Sequence, residues 1–318
     1  MGGCSGCGGK PFYTRRYSGE VLCVSCFNDS IVEKTRRTVS KYKMIRPREK
    51  VAVAVSGGKD SLSLLKVLTG LYAPKRNSMV AVSVDEGVAG YRDEALSHAH
   101  SLANELGVEH LVVSYKEMLG FSLDEALDWK GEREASSCSF CGVFRRRAID
   151  VAALKVGASV VATAHNLDDF VQTFMMNLMH GDVTRLGWLD PNHSDGSFSV
   201  RRVKPFMELY EEEVALYAHQ VGVPLQSVSC PYMHEGLRSE VRDYLNMMEA
   251  NHPGLKNVML RSGLDVISHY SGSRERQSVP CAQCGKPSSS GLCGVCRMKA
   301  AVEEHVKSRA QPTAFGGG

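Results

Sequence analysis

An α/β fold, a parallel sheet wound with helices and flanked at both ends by small cysteine ribbons, is what this sequence predicts. Three observations predict it. Four short β-branched runs, VAVAV (51–55), MVAVSV (79–84), HLVVSY (110–115) and ASVVATA (158–164), alternate with helical stretches such as EALSHAHSLANEL and VFRRRAIDVAALKVG. Runs so continuously apolar belong to strands buried on both faces, and alternation with helices implies βαβ units, parallel pairing and right-handed crossovers. The first run passes directly into SGGKDS and a leucine-rich helical pattern, and eight of the eleven cysteines stand in C-x2-C pairs near the two ends. At 318 residues and 43% hydrophobic, the chain can bury one core of ~200 residues plus smaller satellites.

Cys4, Cys7, Cys23 and Cys26 read C-x2-C-x15-C-x2-C, the spacing of a zinc ribbon. Each pair turns two thiolates toward one ion, and four sulfurs close the tetrahedron that structural zinc prefers. Disulfides compete for such pairs, but with no secretory leader before them metal is the expectation. A ribbon of residues 1–28 is too small to fold on a hydrophobic core, so the ion would hold it together. A basic helix follows from about Asp29 to Met44, inside a linker of 29–48. Residues 1–50 hold eleven Lys/Arg against four Asp/Glu, 81–135 four against twelve, and 271–318 seven against three. Basic ends on a chain of net charge +3 suit a polyanion gripped at the periphery; plain solvated surface charge is the alternative.

The central domain is expected over 49–235. Its first strand ends at Val55, and Gly57 and Gly58 let the backbone turn tightly and approach a phosphate with no Cβ in the way. Ser61 opens the following helix, whose free N–H groups and dipole face the same anion. The result is a phosphate cradle, though neither G-x4-G-K-[ST] nor G-x-G-x-x-G is present. Ligands of a parallel sheet bind beyond the carboxyl ends of the strands, which is where SGGKDS, VDEG and AHNLDD all fall. Three further cysteines remain: Cys138 and Cys141 in SSCSFCGVFRRR, and Cys230 in SVSCPYM. Their spacing leaves open an iron–sulfur cluster with one iron free for an exogenous ligand, a redox dithiol with Cys230 merely buried, or a third zinc completed by His234.

A short strand or turn ends at Pro205 and an amphipathic helix runs on toward Val223. Another helix spans about Gly236 to Glu249 and is stopped by Asn251, His252, Pro253 and Gly254, within an extension of 236–272. SGSRERQSVP is a polar linker into a C-terminal unit of 273–318. There Cys281, Cys284, Cys293 and Cys296 form C-x2-C-x8-C-x2-C, with Gly285, Pro287 and Gly291 supplying turns, so a second zinc ribbon is expected, trailed by a loose QPTAFGGG.

S-G-G-x-D-S after a strand resembles the PP-loop of ATP pyrophosphatases, enzymes that split ATP between its α and β phosphates to adenylate a substrate. The order of four-Cys ribbon, SGGKDS, C-x2-C, HNLDD, a lone later Cys and a second four-Cys ribbon resembles, over essentially the whole chain, the tRNA 2-thiouridine synthetases. That resemblance implies an adenine nucleotide alpha hydrolase-like, Rossmann-like core and the cofactors ATP, Mg2+, two Zn2+ and a 4Fe-4S cluster on Cys138, Cys141 and Cys230. It implies that Ser56, Gly57, Gly58 and Ser61 hold the phosphates, with Lys59 and Asp60 placing Mg2+ or neutralising charge. Asp85, His165, Asp168 and Asp169 would lie at the nucleotide, with Asp168 the catalytic carboxylate; helix capping is the other role open to this turn. Some members place Lys where this chain has Arg145, which keeps the charge and can fork onto phosphate but cannot serve as a proton donor.

The implied reaction adenylates O2 of a tRNA uridine and then replaces AMP by sulfur. The implied partners are tRNA, a sulfur donor that is either a ubiquitin-like thiocarboxylate carrier or sulfide or persulfide, and a second copy of the chain in a homodimer. The two ribbons, Arg145 to Arg147, Arg201 and Arg202 would grip tRNA phosphates, with salt-sensitive affinity. With no run of 18 apolar residues and no charged-then-apolar leader, a cytoplasmic location without membrane insertion is expected. Two other functions compete. One is another PP-loop adenylating enzyme, making 2-thiocytidine or acting as a lysidine-type enzyme or amidase. The other is a zinc-ribbon nucleic-acid adaptor with a degenerate nucleotide site, against which the intact SGGKDS argues.

Overall fold

The structure is a computed structural model describing residues 2–72, 78–130, 137–193, 200–228, 230–232, 237–271, 279–288 and 291–310. His234, most of the linker before the second ribbon and the tail from 311 lie outside the described residues.

The chain opens with an antiparallel hairpin, β1 (Tyr13–Arg15) and β2 (Glu20–Leu22), and helix α1 (Val24–Lys41). The helix starts five residues before Asp29, because Cys23 is its N-cap and accepts the Cys26 N–H at 3.5 Å. A sulfur does the work usually given to Ser, Thr, Asp or Asn, so the ordinary helix-start signal is missing from the sequence.

Then come β3 (Lys50–Ala54), α2 (Lys59–Tyr72), β4 (Ser78–Asp85), α3 (Arg92–Glu105), β5 (Glu109–Ser114), α4 (Tyr115–Leu119), α5 (Leu123–Lys130) and α6 (Ser137–Lys155). The chain continues through β6 (Val160–Ala162), α7 (Leu167–Met179), α8 (Val183–Leu186), β7 (Asn192–His193), β8 (Arg201–Val203), α9 (Glu211–Gln220), α10 (Arg238–Asn251) and α11 (Leu255–Ser271). The second ribbon adds β9 (Val279–Pro280), β10 (Pro287–Ser288) and α12 (Gly294–Ala310).

The main sheet has the order β5-β4-β3-β6-β8-β7, parallel except for β7, which pairs antiparallel with β8. Side chains alternate between two cores. Val51, Val53, Ala81, Val160 and Ala162 face one, with α2, α7 and α9; Ala52, Val80, Val82, Val84 and Val161 face the other, with α4, α5 and α6. β3, β4 and β6 are buried on both faces as expected. β5 is not: it is the sheet edge, with Val112 at 40% exposure, because no neighbour covers that side. Among the described residues no helix is long and apolar enough to cross a membrane.

The ribbons attach to opposite faces. Cys4, Leu22 and Phe27 join the first core, while Val302 of α12 joins the second. The first ribbon is also fixed by charge. Glu213 on α9, 0% exposed, meets Arg15 Nε at 2.7 Å and Lys34 Nζ at 3.3 Å, and accepts the Tyr17 hydroxyl at 3.0 Å. Burial alone would raise the Glu213 pKa, but Lys34 and Arg15 outweigh it and hold the carboxyl below its usual range. Its stabilisation is therefore present above the unfolded pKa of about 4.3 and lost as pH falls through the lower folded value. Glu213→Gln leaves two cations around a neutral group and is expected to cost about 3–5 kcal/mol at pH 7. Urea melts at pH 7 and below pH 4 should show that loss shrinking in acid; equal stability at pH 7 would contradict it.

Candidate functional site

β3 and β6 lie side by side, yet their successors β4 and β8 go to opposite sides, so a crevice opens at their carboxyl ends. SGGKDS leaves β3 there and AHNLDD leaves β6. Gly57 adopts φ +86°, and a Cβ on it would sit 2.1 Å from the Ala95 carbonyl oxygen. Only glycine makes this turn against α3. The Ser61 hydroxyl fastens the loop, accepting the Ser56 N–H at 3.1 Å and donating to the Gly58 carbonyl at 2.9 Å. The helix begins at Lys59, two residues before Ser61, so Lys59 and Asp60 lie in its first turn.

Lys59 Nζ lies 3.2 Å from both Asp60 Oδ2 and Glu211 Oε1. Burial pushes Asp60 up to about 6 against the pull of Lys59, with Glu211 and Asp169 adding to the rise. Asp60 and Asp169 thus face one neighbourhood. Asp169 also completes a capping box with Asn166: Asn166 Oδ1 accepts the Asp169 N–H at 3.0 Å and Asp169 Oδ2 accepts the Asn166 N–H at 3.2 Å.

Asp168 is placed differently from the catalytic carboxylate expected of it. At 5% exposure, its Oδ1 meets Lys256 Nζ and its Oδ2 accepts the Glu211 N–H at 2.7 Å. Lys256, on α11, also donates to Asn246 Oδ1 at 2.6 Å. Both oxygens are engaged within the fold, which fits an anchor better than a group that meets substrate. A cavity of about 480 Å³ opens beside this anchor, lined by Lys59, Asp168, Lys256, Tyr210, Glu211 and Arg16. His165 keeps an open edge to solvent while Thr163 Oγ1 holds its Nδ1 at 2.8 Å. Desolvation, then the charges of Lys204, Arg238, Arg202 and Arg146, act to lower its pKa, and its exposed edge weakens the first of these.

VDEG divides its carboxylates. Asp85 accepts the Gly87 N–H at 2.9 Å and shapes the turn. Glu86, 2% exposed, is a hub: Arg92 Nε lies 2.7 Å from one oxygen, off the line of a good hydrogen bond, and Arg145 Nε lies 2.8 Å from the other. Arg92 donates on to the Ser56 carbonyl at 3.0 Å, and Arg145 to Cys141 Sγ at 3.3 Å. Ser56, Glu86, Arg92 and Arg145 wall one cavity of about 40 Å³. Glu86 therefore joins the glycine loop to the cysteine helix.

Cys138 and Cys141 lie in the first turns of α6. Cys141 is buried, and the Tyr115 hydroxyl donates to its carbonyl at 3.0 Å. Burial raises the Cys141 thiol, Arg145 opposes, and Cys230 stands near enough to add to the rise. Cys138 Sγ approaches the Tyr232 carbonyl at 3.5 Å, two residues beyond Cys230. The three cysteines thus gather on one side of the Glu86 hub.

The end cysteines gather more tightly. Each set of four lies within 4.8 Å, sulfur to sulfur, with 3.6 Å between Cys7 and Cys23 and 3.7 Å between Cys284 and Cys293. A tetrahedron of Zn–S bonds of about 2.3 Å has an edge of about 3.8 Å, so both sets fit such an ion. Among the described residues Cys138, Cys141 and Cys230 form no group so tight. The Cys23 backbone N–H brings Cys4 down to about 6, and that of Cys293 does the same for Cys281, whereas the sulfur neighbours push Cys26 up to about 12 and burial pushes Cys296 up.

Two arginines expected at tRNA phosphates are engaged inside. Arg202, 9% exposed, pairs with Asp150 at 2.9 Å, and Arg201 pairs with Glu49 at 2.8 Å, because both sit on strand β8. Sequence reasoning also missed Arg92, Lys256 and the hub role of Glu86. The first carried no motif, and the Lys256–Asp168 pair spans 88 residues.

A family model described as the PP-loop domain matches residues 29–245. The cytoplasmic tRNA 2-thiolation protein 1 of Chlamydomonas reinhardtii is 35% identical over 290 residues, 90% of this chain and 81% of that protein. The tRNA 2-thiolation protein NcsA of Haloferax volcanii is 31% identical, over 94% of this chain and 99% of that one. Among solved structures, the U34-tRNA thiolase NcsA from Methanococcus maripaludis with its [4Fe-4S] cluster superposes with a TM-score of 0.80 at 31% identity, covering 96% of each chain.

Proposed function

We infer the function from one premise: the chain belongs to the PP-loop domain family, within the proteins of tRNA 2-thiolation. It is a cytoplasmic ATP-dependent sulfurtransferase that converts a tRNA uridine to 2-thiouridine. The observation that carries this reading is the Glu86 hub, which couples the phosphate loop at Ser56 to the cysteine helix at Cys141 through Arg92 and Arg145. One enzyme can then activate a base and deliver sulfur to it without releasing the activated species.

In the first step O2 of the uridine attacks the α-phosphorus of ATP and pyrophosphate leaves. The Gly57–Ser61 loop and the start of α2 bind the leaving pyrophosphate, and Lys59 exchanges Glu211 for phosphate oxygens. Asp60 and Asp169 are the carboxylates that would hold Mg2+, while Asp168 fixes the turn that presents Asp169. In the second step a sulfide sulfur adds to C2 and the C2–O2 bond breaks, so AMP carries the former O2 away. A 4Fe-4S cluster on Cys138, Cys141 and Cys230, when bound, supplies an iron with one position open to a sulfur ligand. Arg145, fixed by Glu86, offsets the charge of the Cys141 thiolate and of the departing AMP. The sulfur comes as sulfide, either free or released from a thiocarboxylated carrier when water cleaves the acyl C–S bond and leaves the carrier as its carboxylate. Zinc fills the two ribbons, which with Arg145 and Arg146 face tRNA.

After anaerobic purification, about four irons and four sulfides and about two zincs per chain are expected. With ATP, Mg2+ and sulfide, a tRNA anticodon stem-loop carrying U34 should become retarded on a mercury gel. ATP–pyrophosphate exchange without thiolation would point to another adenylating reaction. Three zincs and no iron, even after reconstitution, would move the sulfur chemistry off the metal.

A further inference from the structure

Helix α6 does more than carry Cys138 and Cys141. Two turns on, Arg147 NH2 points at the second ribbon and lies 3.5 Å from Cys284 Sγ and 3.6 Å from Cys293 Sγ. Those sulfurs come from different C-x2-C pairs, so one guanidinium spans the ribbon's two halves. One turn further, Asp150 reaches the same ribbon, with Lys286 Nζ 3.7 Å from its Oδ2. In the first ribbon, by contrast, the sulfurs are approached by backbone N–H groups and by one another.

We propose that Arg147 is an outer-sphere part of the second ribbon's metal site, so that the ribbon's metal affinity and its docking on α6 support each other. The inference rests on the reading that zinc fills this ribbon. A neutral thiol is a poor acceptor, whereas a thiolate accepts a charge-assisted hydrogen bond well. Zinc on four thiolates carries a net charge of about −2, and a guanidinium aimed at two of the sulfurs offsets part of it at close range. By linkage, whatever the guanidinium adds to zinc affinity, zinc returns as affinity of the ribbon for α6. The second ribbon is thereby tied to the helix that also bears two of the central cysteines.

The test is zinc release from the full-length, zinc-loaded chain to an excess of a metallochromic chelator. The wild type should release two zincs in two phases, and Cys7→Ser, which removes the first ribbon's phase, assigns them. Arg147→Met should speed the second ribbon's phase by about 10- to 100-fold, the usual cost of losing an outer-sphere partner, and leave the first unchanged. Arg147→Lys, which keeps the charge but not the fork, should fall between. The inference is overturned by unchanged release from Arg147→Met or by equal acceleration of both ribbons. A wild-type chain with no second zinc phase would sink the metal reading itself, whereas normal wild-type phases with an unaltered Arg147→Met would sink only the inference.

Discussion

Gly57→Ala is expected to lose ATP–pyrophosphate exchange by about 100-fold or more. The left-handed backbone alone costs an alanine roughly 1–2 kcal/mol. The larger effect is steric, since the new Cβ would overlap the Ala95 carbonyl at 2.1 Å and neither atom can rotate away. The loop must shift by about 1 Å, and a misplacement of that size can cost about 10²-fold in rate. Gly58→Ala separates ligand from fold. Its Cβ would meet only Ser56 Oγ at 3.6 Å, an ordinary contact, so the protein should keep its urea midpoint. If Gly58→Ala also keeps full exchange, phosphate does not pack against this backbone and the cradle is misassigned.

Cys230→Ala should bring tRNA thiolation to background while ATP–pyrophosphate exchange keeps most of its rate. Cys230 is half-buried outside both cores, in a segment that reaches the helices through Gln226, Ser227 and Tyr232. Removing one sulfur there opens no cavity in the sheet. The phosphate loop and its Ser61 fastening stand elsewhere, so activation of the base should survive. Both activities should be measured on one anaerobic preparation with its iron content. If exchange and thiolation fall together, Cys230 is a structural residue, and the separation of activation from sulfur delivery fails.

The sheet was legible because its strands are short, β-branched and separated by helices of matching length; β3, β4, β5 and β6 lie within a few residues of the apolar runs. The ribbons were legible for another reason, that thiolate spacing is itself geometry. What stayed hidden was pairing across distance. Nothing local in AHNLDD distinguishes Asp168 from Asp169, yet a lysine on α11 turns the first into an anchor and leaves the second facing Asp60. Arg201 and Arg202 read as tRNA-phosphate contacts in sequence, and only the sheet shows them paired inward with Glu49 and Asp150. β5 read as a central strand because apolar content does not reveal which strand is last in the order.

The Arg15–Glu213 contact has a consequence for synthesis. Its two ends are 198 residues apart, and the ribbon end leaves the ribosome first. At about 5–20 residues per second the first ribbon waits roughly 10 to 40 s before the carboxylate that receives Arg15 is made. During that interval the nascent ribbon has its hairpin, four clustered cysteines and the packing of α1 on α2, but not the charge that later fixes it to α9. On the zinc reading proposed above, metal available to the emerging chain, ahead of the finished core, bears on whether this end matures correctly.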